Sequence, residues 1–230
     1  MSETENISYS NDLRAYYGAK PASYFSGIRR DYVAALDVNP EASILEIGCA
    51  EGRTGALALS ENKCGRYVGV ELHEESAQTA RKVLTEVHVG NVETMELPFA
   101  NEGFDALILS EVLEHLIDPW SVCARLAQLV RPGGRIFASS PNVSHHKVIR
   151  QLIKGRWDLA DRGVMDRTHM RWFTPHSYRA MFEQVGFSVE RLDPVTPNAA
   201  RVRMINWLTA NRFSHLFIIQ MSIQGRKQIT

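Results

Sequence analysis

A short β-branched run that ends on glycine and opens into a helix-forming stretch constrains this chain more than any other feature. Ser43-Ile-Leu-Glu-Ile-Gly48 is followed by Gly52 and the Ala- and Leu-rich Thr54–Leu59, so the segment reads as strand, tight turn and helix. The rhythm then repeats. Tyr67–Glu71 reads as a second strand, Ala77, Ala80 and Leu84 mark one face of a helix, and Val87 and Val89 belong to a further strand. Phe104–Leu109 reads as a buried strand running into Ser110-Glu-Val-Leu-Glu-His115. Asp118 suits a helix N-cap and Pro119 the first helical position, Val122, Leu126 and Leu129 give that helix an apolar face, and Pro132-Gly133-Gly134 reads as its stop before a strand at Arg135–Ser139. Strands alternating with helices on short connections imply right-handed crossovers and a sheet covered on both faces. The expected fold class is therefore α/β, a doubly wound, mostly parallel sheet. Phe187–Leu192 and Phe217–Ile223 are its expected last strands, with a helix near Val202–Ala210 between them.

The rhythm breaks once, after Pro141. Segment 142–173 holds Lys147, Arg150, Lys154, Arg156, Arg162, Arg167 and Arg171 against Asp158, Asp161 and Asp166. Regular structure resumes with Thr174 as N-cap, Pro175 at the first helical position, an apolar face of Tyr178, Met181, Phe182 and Val185, and Gly186 as the stop. At 230 residues the chain suits one α/β domain with additions. The expected organisation is an N-terminal helical lid over 1–42, a ligand-binding domain over 43–230, and an acceptor-binding insert at 142–173.

Composition excludes several classes. Twenty-six Lys and Arg balance twenty-six Asp and Glu, so no positive field favours a nucleic-acid partner. Cys49, Cys64 and Cys123 are far apart and form no C-x-x-C pair, which disfavours a disulfide framework or zinc clasp and reads as reduced thiols. Met1–Asn11 is polar, without the basic start and apolar run of a signal peptide, and no stretch approaches the length of a membrane span. A cytoplasmic location is expected.

Glu46-x-Gly48-x-x-x-Gly52 lies at the carboxyl end of the first strand, where an open parallel sheet binds its ligand. Glu71 follows at the second strand end, about 20 residues on, where a carboxylate can accept from both hydroxyls of a ribose. Together these suggest a nucleoside cofactor. The acidic Glu46 and Glu51 disfavour a diphosphate, whereas a sulfonium and an ammonium are favoured by nearby carboxylates.

Ile44-Leu-Glu-Ile-Gly-Cys-Ala-Glu-Gly52, Val70-Glu71, Gly90–Phe99, Phe104–His115, Asp118-Pro119 and Arg131-Pro-Gly-Gly134 together resemble class I S-adenosyl-L-methionine (AdoMet)-dependent methyltransferases, in that family's order and over roughly Tyr24–Leu192. Leu-Glu-His115 and Thr168-His169 ahead of Phe173-Thr-Pro175 are similar to O-methyltransferases of ubiquinone biosynthesis. Asp166-Arg-Thr-His-Met-Arg-Trp-Phe-Thr174 resembles methyltransferases of bacterial surface-polysaccharide pathways. The resemblance implies a Rossmann-like seven-stranded sheet. It implies that Gly48 and Gly52 line the methionyl part of AdoMet, that Glu71 holds the ribose, that Asn91 and Val92 flank the adenine, and that Ser110 presents backbone near the methyl group; Glu46, which can accept from an ammonium group or order the loop, and Cys49, Ala50 and Leu72 complete the expected cofactor-binding set. Arg29 matches a position that binds the cofactor carboxylate. Ala50 and Asn91 depart from the commoner glycine and aspartate.

Methyl transfer to oxygen needs alignment and removal of the acceptor proton. His169 is the first candidate base, His115 the second and Glu111 the third. Each has a structural alternative, His169 as a turn residue and the other two at a helix start. Adjacent His145 and His146 cannot easily face one ion and no carboxylates accompany them, so no metal is expected. The basic insert is either a solvated charged face or a clamp for an anionic acceptor, with Arg167 and Arg171 as anion ligands and Trp157 and Trp172 as flat faces for a sugar ring or hydrophobic chain. The expected activity is O-methylation of a sugar or glycan-linked small molecule. The alternative acceptor is a polyprenyl phenol or quinone, for which Ile149, Leu152, Ile153 and Trp157 of the insert would touch a membrane surface. A nicotinamide oxidoreductase and a catalytically silent AdoMet-binding protein are the other classes considered. The sequence leaves the oligomeric state open.

Overall fold

The computed structural model describes residues 27–197 and 199–229. Most of the expected lid lies outside these residues, and its described part contains one short helix, α1 (Arg30–Ala35). The chain then runs β1 (Ser43–Ile47), α2 (Arg53–Ser60), β2 (Arg66–Glu71), α3 (Glu74–Ala80), β3 (Glu86–Val89), β4 (Phe104–Ser110), a 3-10 turn at Leu113–His115, α4 (Pro119–Gln128) and β5 (Val130–Pro141). It continues through α5 (His146–Ile153), α6 (Pro175–Gln184), β6 (Phe187–Pro194), α7 (Ala200–Leu208), a 3-10 turn at Ser214–Phe217 and β7 (Gln220–Lys227). The strands form one seven-stranded sheet in the order β3-β2-β1-β4-β5-β7-β6. β1 pairs parallel with β2 and β2 with β3, while β7 runs antiparallel to both β5 and β6. The doubly wound, Rossmann-like sheet expected from the alternation of elements is thus present, with antiparallel pairing at one edge.

The chain divides into two compact units, one ending at Ile108 and taking back Leu129–Arg131, the other made of Leu109–Gln128 and Pro132 onward. In the first, Ile44, Leu45 and Ile47 of β1 and Tyr67, Val68 and Val70 of β2 are each no more than 2% exposed, and burying each such side chain contributes about 1.5–3 kcal/mol. Close packing also sets residue size. A Cβ on Gly69 would lie 2.4 Å from Cys49 Sγ, so β2 carries glycine where the β1 loop presses on it.

In the second unit, α6 carries a capping box in which Thr174 accepts from the Ser177 N–H and the Ser177 hydroxyl bonds back to the N-cap. The Asp118 carboxylate accepts from both the N–H and the hydroxyl of Ser121 at the start of α4. Three readings change. Pro132-Gly133-Gly134 does not stop α4, which ends at Gln128, but lies inside β5, ahead of Arg135 where the pairing with β7 begins. The insert contains a helix, α5, capped by His145, whose Nδ1 accepts from the Lys147 N–H. Finally, Ser214–Phe217 makes a 3-10 turn, so β7 starts at Gln220 rather than Phe217.

Candidate active site

The first unit assembles the glycine loop. Gly48, Ala50 and Gly52 all have positive φ, at 72°, 49° and 78°, so the chain after β1 curls tightly before α2. Ala50 adopts this conformation despite its Cβ, a strain of about 1–2 kcal/mol characteristic of functional loops. Glu71 holds the loop from the end of β2: its Oε2 accepts from the Ala50 N–H at 2.8 Å and its Oε1 from the His73 N–H at 2.9 Å. Burial raises its pKa, while the N–H groups of His73, Ala50 and Leu72 pull it back. Each carboxylate oxygen keeps acceptor capacity for a second donor, as a ribose diol requires.

Glu46 is 3% exposed and accepts from the Tyr67 hydroxyl at 2.8 Å. Burial pushes its pKa up to about 7, Tyr67 and Arg29 pull it down and Glu71 adds to the rise. A buried carboxyl poised near neutrality fits an ammonium group, which would favour its charged form. Arg29 donates from Nε and a terminal nitrogen to Asp31, and its guanidinium stacks on Tyr32 3.5 Å from the ring centroid. Cys49 is buried, its thiol pKa pushed up by burial first and then by Glu46 and Glu71; only its main chain is suited to line a ligand. Beyond β3, the Asn91 side-chain oxygen accepts from the Glu93 N–H at 2.9 Å, so its amide NH₂ is the group suited to recognition. Val92 is buried beside it and Leu72 half-buried after Glu71. This arrangement of glycine-like loop, diol-type acceptor and buried carboxyl fits AdoMet.

The second unit assembles the base candidates. Ser110 ends β4 with its hydroxyl 3.2 Å from that of Ser139. Glu111 follows in a left-handed conformation, φ 55°, its N–H donating to the Ser139 carbonyl, another strained non-glycine residue at a strand end. The 3-10 turn then buries Glu114 and His115. From the insert, Asp166 accepts through Oδ1 from the N–H and the hydroxyl of Thr168, and the N–H groups of Met170 and Arg171 donate to the Glu114 carbonyl. This tie brings His169 to His115, with ring centroids 4.9 Å apart. His115 Nδ1 lies 3.2 Å from the Thr168 carbonyl and His169 Nδ1 lies 3.0 Å from the Val164 carbonyl. A carbonyl can only accept, so each Nδ1 carries the proton and each neutral ring has its lone pair on Nε2.

Glu114 is the residue that sequence reasoning passed over. It is 1% exposed, and burial first, then the charge of Glu111, hold its carboxyl well above the usual range. Glu114, His115 and His169 offer ligand atoms within 4.8 Å of one another, a set that could hold a cation and that His145 and His146 did not suggest. Its signal was Leu-Glu-His115 itself, but the third member comes from the insert. The expected acceptor residues are dispersed. Arg171 donates to the main-chain carbonyls of Ile117 and Met170, and Arg167 pairs with Asp161 at 2.9 Å. Trp157 and Trp172 stack edge to face, centroids 5.1 Å apart. The insert cations that share a concave surface are Lys147, Arg150, Lys154 and Arg156, with Gln151 between them.

Residues 22–192 match the family described as methyltransferase domain. A transposon-encoded protein of Streptomyces fradiae is 32% identical over 144 residues, covering 60% of this chain and 39% of that protein. A ubiquinone biosynthesis O-methyltransferase of Aromatoleum aromaticum is 29% identical over 182 residues, 75% of each chain. Among solved structures, an AdoMet-dependent methyltransferase from Mesorhizobium loti superposes with a TM-score of 0.61 at 16% identity, over 88% of this chain and 99% of that one, a likeness of fold. With the match running from Ala22 into β6 and a loop suited to the cofactor, the chain belongs to the methyltransferase-domain family, as a class I methyltransferase whose cofactor is AdoMet.

Proposed function

We propose that this enzyme methylates a hydroxyl oxygen of a small molecule, with His169 as the base and His115 and Glu114 as its buried support. The observation that carries this reading is the pair of imidazoles held by main-chain carbonyls, each with its Nε2 as the basic nitrogen. AdoMet supplies a methyl group on a sulfonium, already a good leaving group, so the protein's task is alignment and proton removal. Glu71 would hold the ribose of AdoMet, and Glu46 with Arg29 its methionyl end. His169 Nε2 takes the acceptor proton, and the T-shaped contact with His115 fixes the ring that does so.

For the acceptor, the four cations along α5 and after it favour an anionic molecule such as an acidic or nucleotide-linked sugar. The second reading, a polyprenyl phenol or quinone, is favoured by the relative from Aromatoleum aromaticum, which is named for ubiquinone biosynthesis. Methyl-labelled AdoMet incubated with an acidic sugar nucleotide and, separately, a prenylated catechol tests both. Transfer to the sugar, with acceptor KM raised at least tenfold by Lys147→Ala and Arg150→Ala and AdoMet affinity unchanged, supports the first. Transfer to the catechol alone supports the second, and transfer to neither, with AdoMet bound, supports a silent binding protein.

A further inference from the structure

Helix α7 is turned inside out. Its nine residues, Ala200–Leu208, bury the polar Asn206 and half-bury Val202, one turn apart, while Met204, Ile205, Trp207 and Leu208 are 58%, 39%, 78% and 67% exposed. With 3.6 residues per turn, Trp207, Met204, Leu208, Arg201 and Ile205 follow one another around the outer face, and Arg203 borders Trp207. The chain beyond continues the pattern. Ala210 and Asn211 both have positive φ, ending the helix and leading to exposed Arg212 and Phe213. Farther on, Ile219 is 56% exposed. A soluble surface tolerates apolar residues singly, but five on one short segment mark a contact surface.

Charge identifies the occupant. From Pro194 to Thr230 the sequence has no Asp or Glu; Arg201 and Arg212 are exposed beside the apolar residues, while Arg226 pairs with Glu190 and Lys227 donates to the Ala127 carbonyl. A protein groove receiving an apolar helix does not require all acids to be absent from the surrounding chain. An extended anionic plane favours such an absence, because carboxylates close to it are repelled and basic groups attracted. Trp207 has the amphipathic ring favoured at a bilayer interface, and Arg201 can lay its methylene stem along the apolar face while its charge reaches phosphate.

We propose that the segment Ala200–Phe213 docks this enzyme onto an anionic lipid bilayer, with Met204, Trp207, Leu208 and Phe213 entering the interface and Arg201 and Arg212 meeting headgroup phosphates. The proposal does not depend on which acceptor the enzyme takes. The test is co-sedimentation of the full chain with vesicles of phosphatidylglycerol and phosphatidylcholine, compared with phosphatidylcholine alone. Binding to the anionic vesicles, weakened by salt, is expected. Trp207→Ser with Leu208→Ser, and separately Arg201→Glu with Arg212→Glu, should each lower the partition coefficient at least tenfold. All four side chains are exposed, and AdoMet binding by each variant reports that it is folded. No binding to anionic vesicles, or binding undiminished in both variants, overturns the proposal. So does a dimer that Trp207→Ser disrupts in a protein that ignores vesicles, which would give the surface to a second copy of the chain.

Discussion

His115 and His169 meet edge to face, ring centroids 4.9 Å apart, one carried by the turn after β4 and the other by the insert. Each imidazole is anchored through Nδ1 to a carbonyl contributed by the insert, from Thr168 and Val164. If His169 is the base, His169→Ala should lower kcat by roughly 10²–10⁴ and remove the acid limb of the pH–rate profile. His115→Ala should lower kcat less and keep that limb, since it acts by holding its partner. Rate constants across pH for both variants check this. A near-normal kcat in His169→Ala would return this histidine to a structural role.

A second prediction follows from Glu46. Its carboxyl titrates near 7 when folded against an ordinary value of 4.5, so between these values the native state holds more protons than the unfolded chain. The contribution of this group to stability is therefore full below 4.5 and is lost as pH rises through 7, on the order of 3 kcal/mol in all. Glu46→Gln should flatten that slope in the AdoMet-free protein while keeping an oxygen for the Tyr67 hydroxyl. In the native protein AdoMet affinity should rise with pH through the same range, because its ammonium selects the carboxylate. Thermal unfolding against pH, with and without AdoMet, reads both effects; identical slopes in the two proteins would contradict the assignment.

The cofactor end was legible in the sequence because its determinants are local. Gly48, Gly52 and Glu71 sit at strand ends that the apolar runs define, and the strands predict where the loop must be. The base cluster was legible only in part. His115 and His169 could each be picked out by residue type, but their meeting depends on Asp166 and Thr168 folding the insert back onto Glu114, which no periodicity encodes. A helix was expected near Val202–Ala210 and α7 spans Ala200–Leu208, but which of its faces packs inward was not legible, because the tertiary structure buries the polar Asn206 and leaves Trp207 and Leu208 exposed.

Ala50 supplies a stability prediction. With φ at 49° it occupies a region that costs a residue with a Cβ about 1 kcal/mol relative to glycine. Ala50→Gly should raise stability by no more than about 0.6 kcal/mol once the greater freedom of the unfolded glycine, about 0.4–1 kcal/mol, is subtracted, with AdoMet affinity within a few-fold of native. Denaturant unfolding measures it. A destabilised variant would mean that the Ala50 methyl packs in a way that outweighs the backbone strain.

The cluster of Glu114, His115 and His169 decides the last prediction. Three ligand atoms within 4.8 Å of one another, two of them imidazole nitrogens and one a carboxylate oxygen, repel unless something positive lies among them. Either a divalent cation or a proton can serve. Burial and then the charge of Glu111 raise the pKa of Glu114 well above the usual range, which favours a proton within the cluster over the negative charge that would draw in a metal. Turnover should therefore survive dialysis against EDTA, and Glu114→Gln, which keeps a donor at the same place, should retain most of kcat, whereas Glu114→Ala should lose it. Loss of turnover in EDTA restored by magnesium, together with a Glu114→Gln enzyme that neither binds the metal nor turns over, would assign the cluster to a cation and make Glu114 its anionic ligand.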